Sequence, residues 1–128
     1  MVAALCVGAG GFIGAVARYL LGLLPYEGDF PLVTFLINFV GAVVIGAVFE
    51  LATGREGGLP DNLVLFLKTG FCGGFTTFST FSLETLSLMD DGKWAIAGAY
   101  AFGSLVACVA GVVAGKLLVR AALGAQAA

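Results

Sequence analysis

Residues 70–84 read GFCGGFTTFSTFSLE and combine features that a plain membrane helix avoids. The stretch lies within an apolar run, yet two adjacent glycines weaken any helix that contains them. Five hydroxyl side chains follow the glycines, and phenylalanine recurs at every third position. The stretch is therefore a candidate for a helix that is broken at membrane depth, near residues 73–76.

The composition of the whole chain is that of an integral membrane protein. Of 128 residues, 60% are hydrophobic and 11% are charged, and the mean hydropathy is +1.08. A soluble domain carries about a quarter charged residues. The net charge of −2 excludes a nucleic-acid-binding protein, which needs a basic surface to neutralise phosphates.

Four apolar runs are long enough for a bilayer core, which needs about 20 residues per helix. They cover roughly residues 3–24, 32–53, 61–88 and 94–119, joined by the short links PYEGDFP, GREGGLP and MDDGK. The first run is too long for a signal peptide and lacks its basic leader. We expect one all-α membrane domain over residues 1–128, with four transmembrane helices and the break in the third.

The basic residues give little indication of orientation. Short links between four helices place both termini on the same side of the membrane. Cytoplasmic loops normally carry the excess of lysine and arginine, and here the side of the termini holds slightly more than the other: Arg55, Lys68, Lys116 and Arg120 against Arg18 and Lys93. A bias this small is compatible with insertion in both orientations.

Glycines recur at the four-residue spacing that lets membrane helices approach closely. The pairs are Gly10 and Gly14, Gly70 and Gly74, and Gly111 and Gly115, the last extended by Gly103 and Ala107. Packing within one subunit explains most of them. Because four helices enclose little interior, we expect some of these faces to serve self-association.

The glycine pair Gly73–Gly74 has two interpretations. If the helix unwinds there, the carbonyls of residues 73–76 lose their helical partners and become hard oxygen ligands for a small cation. If the helix continues, the glycines only allow close packing against a neighbour. The threonines that follow are compatible with either arrangement.

Hydroxyl groups and phenylalanine rings alternate after the glycines. A single serine or threonine in a membrane helix usually bonds back to a carbonyl one turn earlier, and the set here exceeds that need: Thr76, Thr77, Ser79, Thr80 and Ser82. Some should line a polar path or a subunit interface. Phe75, Phe78 and Phe81 form a stripe that is typical of packing or lipid contact, but the positive ring edges could also solvate a small anion.

Further polar residues lie within the apolar runs. Asn38 needs partners, and its amide can donate to an anion or bridge two helices. Arg18 can reach the membrane interface or attract anions to a vestibule. Tyr100 and Ser104 lie one turn apart and extend a polar stripe. Glu84 is an intramembrane acid near the end of its span, where it can either serve function or reach water.

Catalysis and metal binding by side chains are not indicated. The chain has no histidine, the residue used most often in general acid–base catalysis and often in zinc and iron sites. Cys6, Cys72 and Cys108 are isolated within apolar runs, which favours a packing role over a disulfide or a metal site. No nucleophile–base pair stands out, so we do not expect an enzyme.

Three segments resemble the Fluc/CrcB fluoride channels. They are GGFIGAVARY (10–19), TFLINFVGAVVIG (34–46) and GFCGGFTTFSTF (70–81), and they occur in this order along the chain. The resemblance covers essentially the whole chain, and the third segment is highly specific. It implies a passive channel that exports fluoride across the cytoplasmic membrane and thereby protects the cell.

The same resemblance implies an antiparallel, dual-topology homodimer in the lipid bilayer, with two fluoride pores and one central structural sodium ion. On the matching positions, the backbone carbonyls of Gly73 and Thr76 from both subunits would bind the sodium. Phe78 and Phe81 would face fluoride through their ring edges. An amide, several hydroxyls, a carboxylate and a vestibule arginine would complete the polar path: Asn38, Ser79, Thr80, Tyr100, Ser104, Glu84 and Arg18.

One departure and two alternatives accompany this resemblance. Cys108 stands where a further hydroxyl is expected, and a thiol is a weak donor. A small multidrug or guanidinium-type transporter is also a four-helix, dual-topology dimer, but it needs a carboxylate in the middle of the first helix, and the first run has none. A purely structural membrane subunit would explain the glycines but not Asn38 or residues 70–84.

Overall fold

The computed structural model describes residues 1–54 and 58–125 as an all-helical protein. Three helices are uninterrupted: α1 (Val2–Gly22), α2 (Leu32–Thr53) and α6 (Trp94–Ala125). Each of them is long and apolar enough to cross a membrane. The predicted all-α membrane fold is confirmed at this level. Arg55, which was counted among the basic residues on the side of the termini, lies outside the described residues.

The segment between α2 and α6 is built from several short pieces. It begins with α3 (Asp61–Val64), continues as a π-helix (Leu65–Cys72) and then as α4 (Gly73–Phe75), and resumes after a gap as α5 (Phe78–Asp90). A π-helix of this length is rare, and π-helical turns are found frequently at functional sites. We refer to residues 61–90 as the third segment.

The third segment breaks at Thr76 and Thr77, both of which have extended backbone. Thr76 has φ −80° and ψ 160°, and Thr77 has φ −149° and ψ 116°. Gly73 is helical, with φ −64° and ψ −37°. The break is therefore placed three residues later than an unwinding at the glycine pair would put it. Gly74 lies in the helical part of the segment, where it packs closely against the backbone of α1.

Glycines allow the backbones of α1 and the third segment to come into direct contact. A side-chain carbon at Gly10 or Gly14 would collide with backbone atoms of residues 66–75, and one at Gly70 or Gly74 would collide with the backbone of α1. The two small-residue faces thus pack against each other. Close backbone approach of this kind is how membrane helices associate when apolar side chains gain nothing by leaving lipid.

A second pair of helices, α2 and α6, is joined in the same way. A side-chain carbon at Gly46 would meet the carbonyl of Val112, and one at Gly115 would meet that of Val43. Every predicted glycine pair is therefore used inside one subunit. A side-chain carbon at Gly103 would meet no atom of the described residues within 4 Å, so Gly103 stays available for the expected role of these faces in self-association.

Two polar clusters hold the ends of the helix pairs. At the end of α2, the buried carboxylate of Glu50 lies 2.7 Å from Arg120 Nε and 4.0 Å from Lys116 Nζ, both on α6. At the opposite end, Lys93 Nζ lies 2.6 Å from Asp29 Oδ1. The hydrogen bond from Lys93 to this carboxylate raises the pKa of Lys93, so the ammonium stays charged at physiological pH.

Substitution of Gly115 should destabilise the α2–α6 pair. Gly115→Ala places a methyl group against the backbone of α2, which we expect to cost about 1–3 kcal/mol in free energy of unfolding. Gly98→Ala on the same helix meets no neighbour and should change stability little or increase it. Thermal unfolding in detergent distinguishes the two variants, and equal melting temperatures would contradict the packing described.

Candidate functional site

The break in the third segment is held by Asn38 of α2. Asn38 Nδ2 donates to the carbonyl of Thr77 over 3.1 Å, and the N–H of Thr77 donates to Asn38 Oδ1 over 2.8 Å. One side-chain amide thereby satisfies both backbone groups of a residue that has left the helix. The sequence left open whether Asn38 bridges helices or donates to an anion. The structure shows the bridge, and the second Nδ2 hydrogen stays available for the other role.

Two backbone N–H groups at the break bond to side chains, so two carbonyls lose the donors that a continuous helix would give them. In a continuous helix, the N–H of Thr77 would bond to Gly73 and that of Thr80 to Thr76. Here the Thr77 N–H goes to Asn38, and the Thr80 N–H goes to the hydroxyl of Thr77 over 3.2 Å. The carbonyls of Gly73 and Thr76 are therefore free to bind another partner.

Arg18 of α1 satisfies a third carbonyl at the break. Its Nε lies 3.1 Å from the carbonyl oxygen of Gly74. The guanidinium is thus directed towards the broken backbone instead of extending freely to the membrane surface. It also lines a cavity of about 540 Å³ together with Tyr19, Thr80 and Glu84. A guanidinium beside a cavity of this size is compatible with the vestibule role of Arg18, which stays a prediction.

An open apolar groove of about 550 Å³ lies on the other side of the break. It runs between the third segment, α2 and α6. The groove brings together most of the residues that the sequence singled out, with Lys68 at one end and the phenylalanines at the other: Lys68, Gly73, Thr76, Asn38, Thr77, Ser104, Cys108, Phe78 and Phe81. Cys108 is therefore on the predicted face, with a thiol in place of a hydroxyl.

The two phenylalanines of α5 are neighbours in the groove. The ring centroids of Phe78 and Phe81 lie 5.5 Å apart with an interplanar angle of 41°, and Phe81 also packs against Tyr100 at 5.1 Å. Phe78 is 79% exposed in the single chain. A large aromatic ring this exposed beside an apolar groove requires lipid or a protein partner. Phe75, by contrast, is buried, in agreement with the packing role expected for it.

Glu84 is held by two hydroxyl donors. The hydroxyl of Thr34 lies 2.8 Å from Oε1, and that of the fully buried Tyr100 lies 2.7 Å from Oε2. This connects α2, α5 and α6 through one carboxylate. Sequence reasoning missed Thr34, although its position one turn before Asn38 on the same helix face was a signal that could have found it.

The remaining predicted hydroxyls differ in whether they line the groove, the cavity or neither. Thr77 lines both the groove and the cavity, and its hydroxyl donates to that of Thr80 over 3.0 Å. Ser104 Oγ is buried in the groove wall without a hydrogen-bond partner among the described residues. Ser79 is exposed and lies 3.3 Å from Thr77 Oγ1, but it lines neither space in the single chain.

Comparison with known sequences gives a single family. The sequence pattern described as "CrcB-like protein, Camphor Resistance (CrcB)" matches residues 5–116. This range includes most of α1, all of α2 to α5 with the break, and most of α6. It also contains every residue of the groove and the cavity named above.

Curated relatives match over nearly their full length. The "Fluoride-specific ion channel FluC" of Chlorobaculum tepidum is 48% identical over 118 residues, covering 91% of this chain and 93% of the relative. The protein of the same description from Prosthecochloris aestuarii is 45% identical, covering 92% and 93%. That of Ruminiclostridium cellulolyticum is 42% identical, covering 94% of each chain.

Loss of the Asn38 amide should destabilise the break. Asn38→Leu keeps the side-chain size but leaves the N–H and carbonyl of Thr77 unpaired, which costs about 1–3 kcal/mol for each buried group. Thr53→Val on the same helix removes only an exposed hydrogen bond to the carbonyl of Phe49 and serves as the control. Thermal unfolding in detergent is the measurement, and an Asn38→Leu protein as stable as Thr53→Val would disprove the bridge.

Proposed function

This chain belongs to the CrcB family of fluoride ion channels, which are not enzymes, and we propose that it exports fluoride passively across the cytoplasmic membrane and so gives fluoride resistance. The relatives that support this are described as fluoride-specific ion channels and match more than nine-tenths of the chain. A position of the groove and the cavity within the membrane is supported by their lining, which comes in part from helices long and apolar enough to cross it.

The observation that carries the proposal is the meeting of Phe78, Phe81 and Asn38 in one groove. Aromatic rings carry a positive edge, and Asn38 retains one N–H that no group of the described residues accepts. Together they can coordinate a small anion without a fixed positive charge in direct contact with it, which would trap it. Weak coordination at successive sites is what conduction requires, because an ion must enter and leave quickly.

Fluoride would travel between the cavity and the groove along the wall that they share. Arg18 attracts the anion into the cavity, and Thr77 lies on both sides of the boundary. Hydroxyls of Thr80 and Ser104 offer donors along the way, with Ser79 contributing from the exposed face. The carboxylate of Glu84 does not block the path, since Thr34 and Tyr100 hold its two oxygens and offset its charge.

We infer that two copies assemble as an antiparallel homodimer with the groove facing inward. Phe78 and Leu105 at the groove are 79% and 64% exposed in the single chain, and a second copy would bury them. Two freed carbonyls per chain are too few to coordinate a cation, whereas two copies supply four. The small imbalance of basic residues between the two sides is compatible with opposite orientations in one membrane.

The residues at the break fit the sodium ion that the family implies. The carbonyls of Gly73 and Thr76 lack their helical donors, and carbonyl oxygens are suitable ligands for a hard cation. When bound, sodium would supply a positive charge that joins the two broken backbones at the centre of the dimer. The protein contributes the position of these carbonyls through the Asn38–Thr77 bridge.

A coupled transporter of the small multidrug type is disfavoured. Such a transporter uses a carboxylate in the middle of its first helix, whereas α1 contains neither aspartate nor glutamate. Both buried or half-buried acids of the helices, Glu50 and Glu84, are occupied by polar partners within the chain.

Fluoride efflux from liposomes tests the function directly. Liposomes containing the purified protein are loaded with fluoride or chloride, and efflux is followed with an ion-selective electrode after the potassium permeability is raised. We expect rapid loss of fluoride and retention of chloride. Equal fluxes of the two anions, or no fluoride flux, would contradict the proposal.

Replacement of the groove phenylalanines should strongly reduce fluoride transport, while the dimer stays assembled. Phe81→Ile and Phe78→Ile keep apolar bulk but remove the ring edge, so fluoride efflux should fall by at least about tenfold, the effect of about 1.4 kcal/mol. Phe102→Ile, an exposed phenylalanine outside the groove, should conduct normally. Unchanged efflux in both groove variants would assign these rings to packing alone.

Labelling of the link between α5 and α6 should reveal both orientations. Asp91→Cys places a thiol in this exposed link. In sealed vesicles, a membrane-impermeant maleimide should label about half of the protein, and the rest only after the vesicles are opened. Complete labelling, or none, before opening would show a single orientation and contradict an antiparallel dimer.

A further inference from the structure

Lys68 is a charged residue of the groove that the path described above does not use. It lies in the π-helix and lines the end of the groove opposite the phenylalanines. Its Nζ lies 5.9 Å from the ring centroid of Phe49, at the outer limit of a cation–π contact. Within residues 1–54 and 58–125, no carboxylate lies within salt-bridge distance of it.

Lys116, a neighbouring lysine, has closer partners than Lys68. Lys116 lies over the same Phe49 ring at 4.8 Å and has Glu50 Oε2 at 4.0 Å. Lys116 is therefore held by a ring and a carboxylate, and it does not line the groove. Lys68 shares only the weaker contact with the ring, so its ammonium is free to extend into the groove.

Lys68 and Phe81 lie on opposite sides of residues 73–76 in the third segment. Lys68 precedes the midpoint of Gly73–Thr76 by as many residues as Phe81 follows it. In an antiparallel pair whose two-fold axis passes through these carbonyls, the rotation carries each depth to its opposite. Lys68 of one subunit then lies on the same side of the centre as Phe81 of the other subunit, and both side chains line the groove that faces inward.

We propose that the Lys68 ammonium of each subunit completes the fluoride pore of the opposite subunit, where it raises the local concentration of fluoride at the depth of Phe81. This inference rests on the proposed antiparallel fluoride channel. A unit charge within about 10 Å in surroundings of intermediate dielectric shifts anion occupancy by roughly three- to tenfold.

Charge substitutions at Lys68 provide the first test. In liposomes at low fluoride, Lys68→Met should slow fluoride efflux about three- to tenfold, and Lys68→Arg should retain most of it. The difference between Lys68→Met and wild type should narrow as fluoride is raised, which a merely structural role would not produce. Lys116→Met removes the same charge from the same end of the helices but outside the groove, and it should stay within about twofold of wild type.

The outcomes separate this inference from the function on which it depends. Wild-type protein that moves no fluoride would overturn both. Wild-type protein that conducts, together with a dimeric Lys68→Met protein that conducts equally well at low fluoride, would overturn the role of Lys68 only. An equal loss in Lys116→Met would also overturn it, because the effect would then be one of general surface charge.

Cross-linking tests the geometry even if Lys68→Met does not assemble. Thirteen residues separate positions 68 and 81 within one chain, a span of roughly 20 Å. In a protein whose native Cys6, Cys72 and Cys108 are replaced by alanine, a short bis-maleimide should therefore join Lys68→Cys to Phe81→Cys only between subunits. The double variant should give a covalent dimer that neither single variant gives, and an assembled double variant without this product would overturn the proposal.

Discussion

The pairing of Asn38 with the backbone of Thr77 is the constraint on which the rest of the structure depends. Hydrocarbon offers no water to satisfy a broken helix, so irregular backbone persists there only with partners from the protein or from a hydrated cavity. Asn38 supplies a donor and an acceptor to the same residue. With the N–H of Thr77 occupied, the helix cannot close through residues 76 and 77, and the carbonyls of Gly73 and Thr76 stay open.

The bridge also explains how one segment would serve the two ions of opposite charge proposed for it. The backbone of the break presents oxygens, which suit a cation. The side chains that follow present ring edges and hydroxyls, which suit an anion. Glycine contacts fix α1 against the third segment and α2 against α6, and Asn38 joins these two pairs beside the groove. Backbone and side chains can therefore be directed to different partners without either helix pair being deformed.

Hydropathy was sufficient to predict an all-helical membrane protein, because apolar length alone decides whether a helix can span. The break was predictable from GGFTT, but its position was not. Two glycines look like the weakest point of the helix, yet α1 needs Gly74 for packing, and the extended residues are the threonines. The π-helix at Leu65–Cys72 has no local sequence signal that distinguishes it from an α-helix. Thr34 was missed because a lone threonine in an apolar run usually bonds back to its own helix, whereas here it bonds to Glu84.

The central claim is that the groove conducts fluoride passively and selectively, and the reversal potential of single dimers in a planar bilayer tests it most directly. With a tenfold fluoride gradient and equal chloride on both sides, the account predicts reversal at the fluoride equilibrium potential, about 59 mV from zero. The reversal potential should change with the fluoride gradient and should not change when a chloride gradient is imposed. Reversal near zero, or a potential that follows chloride, would contradict the account.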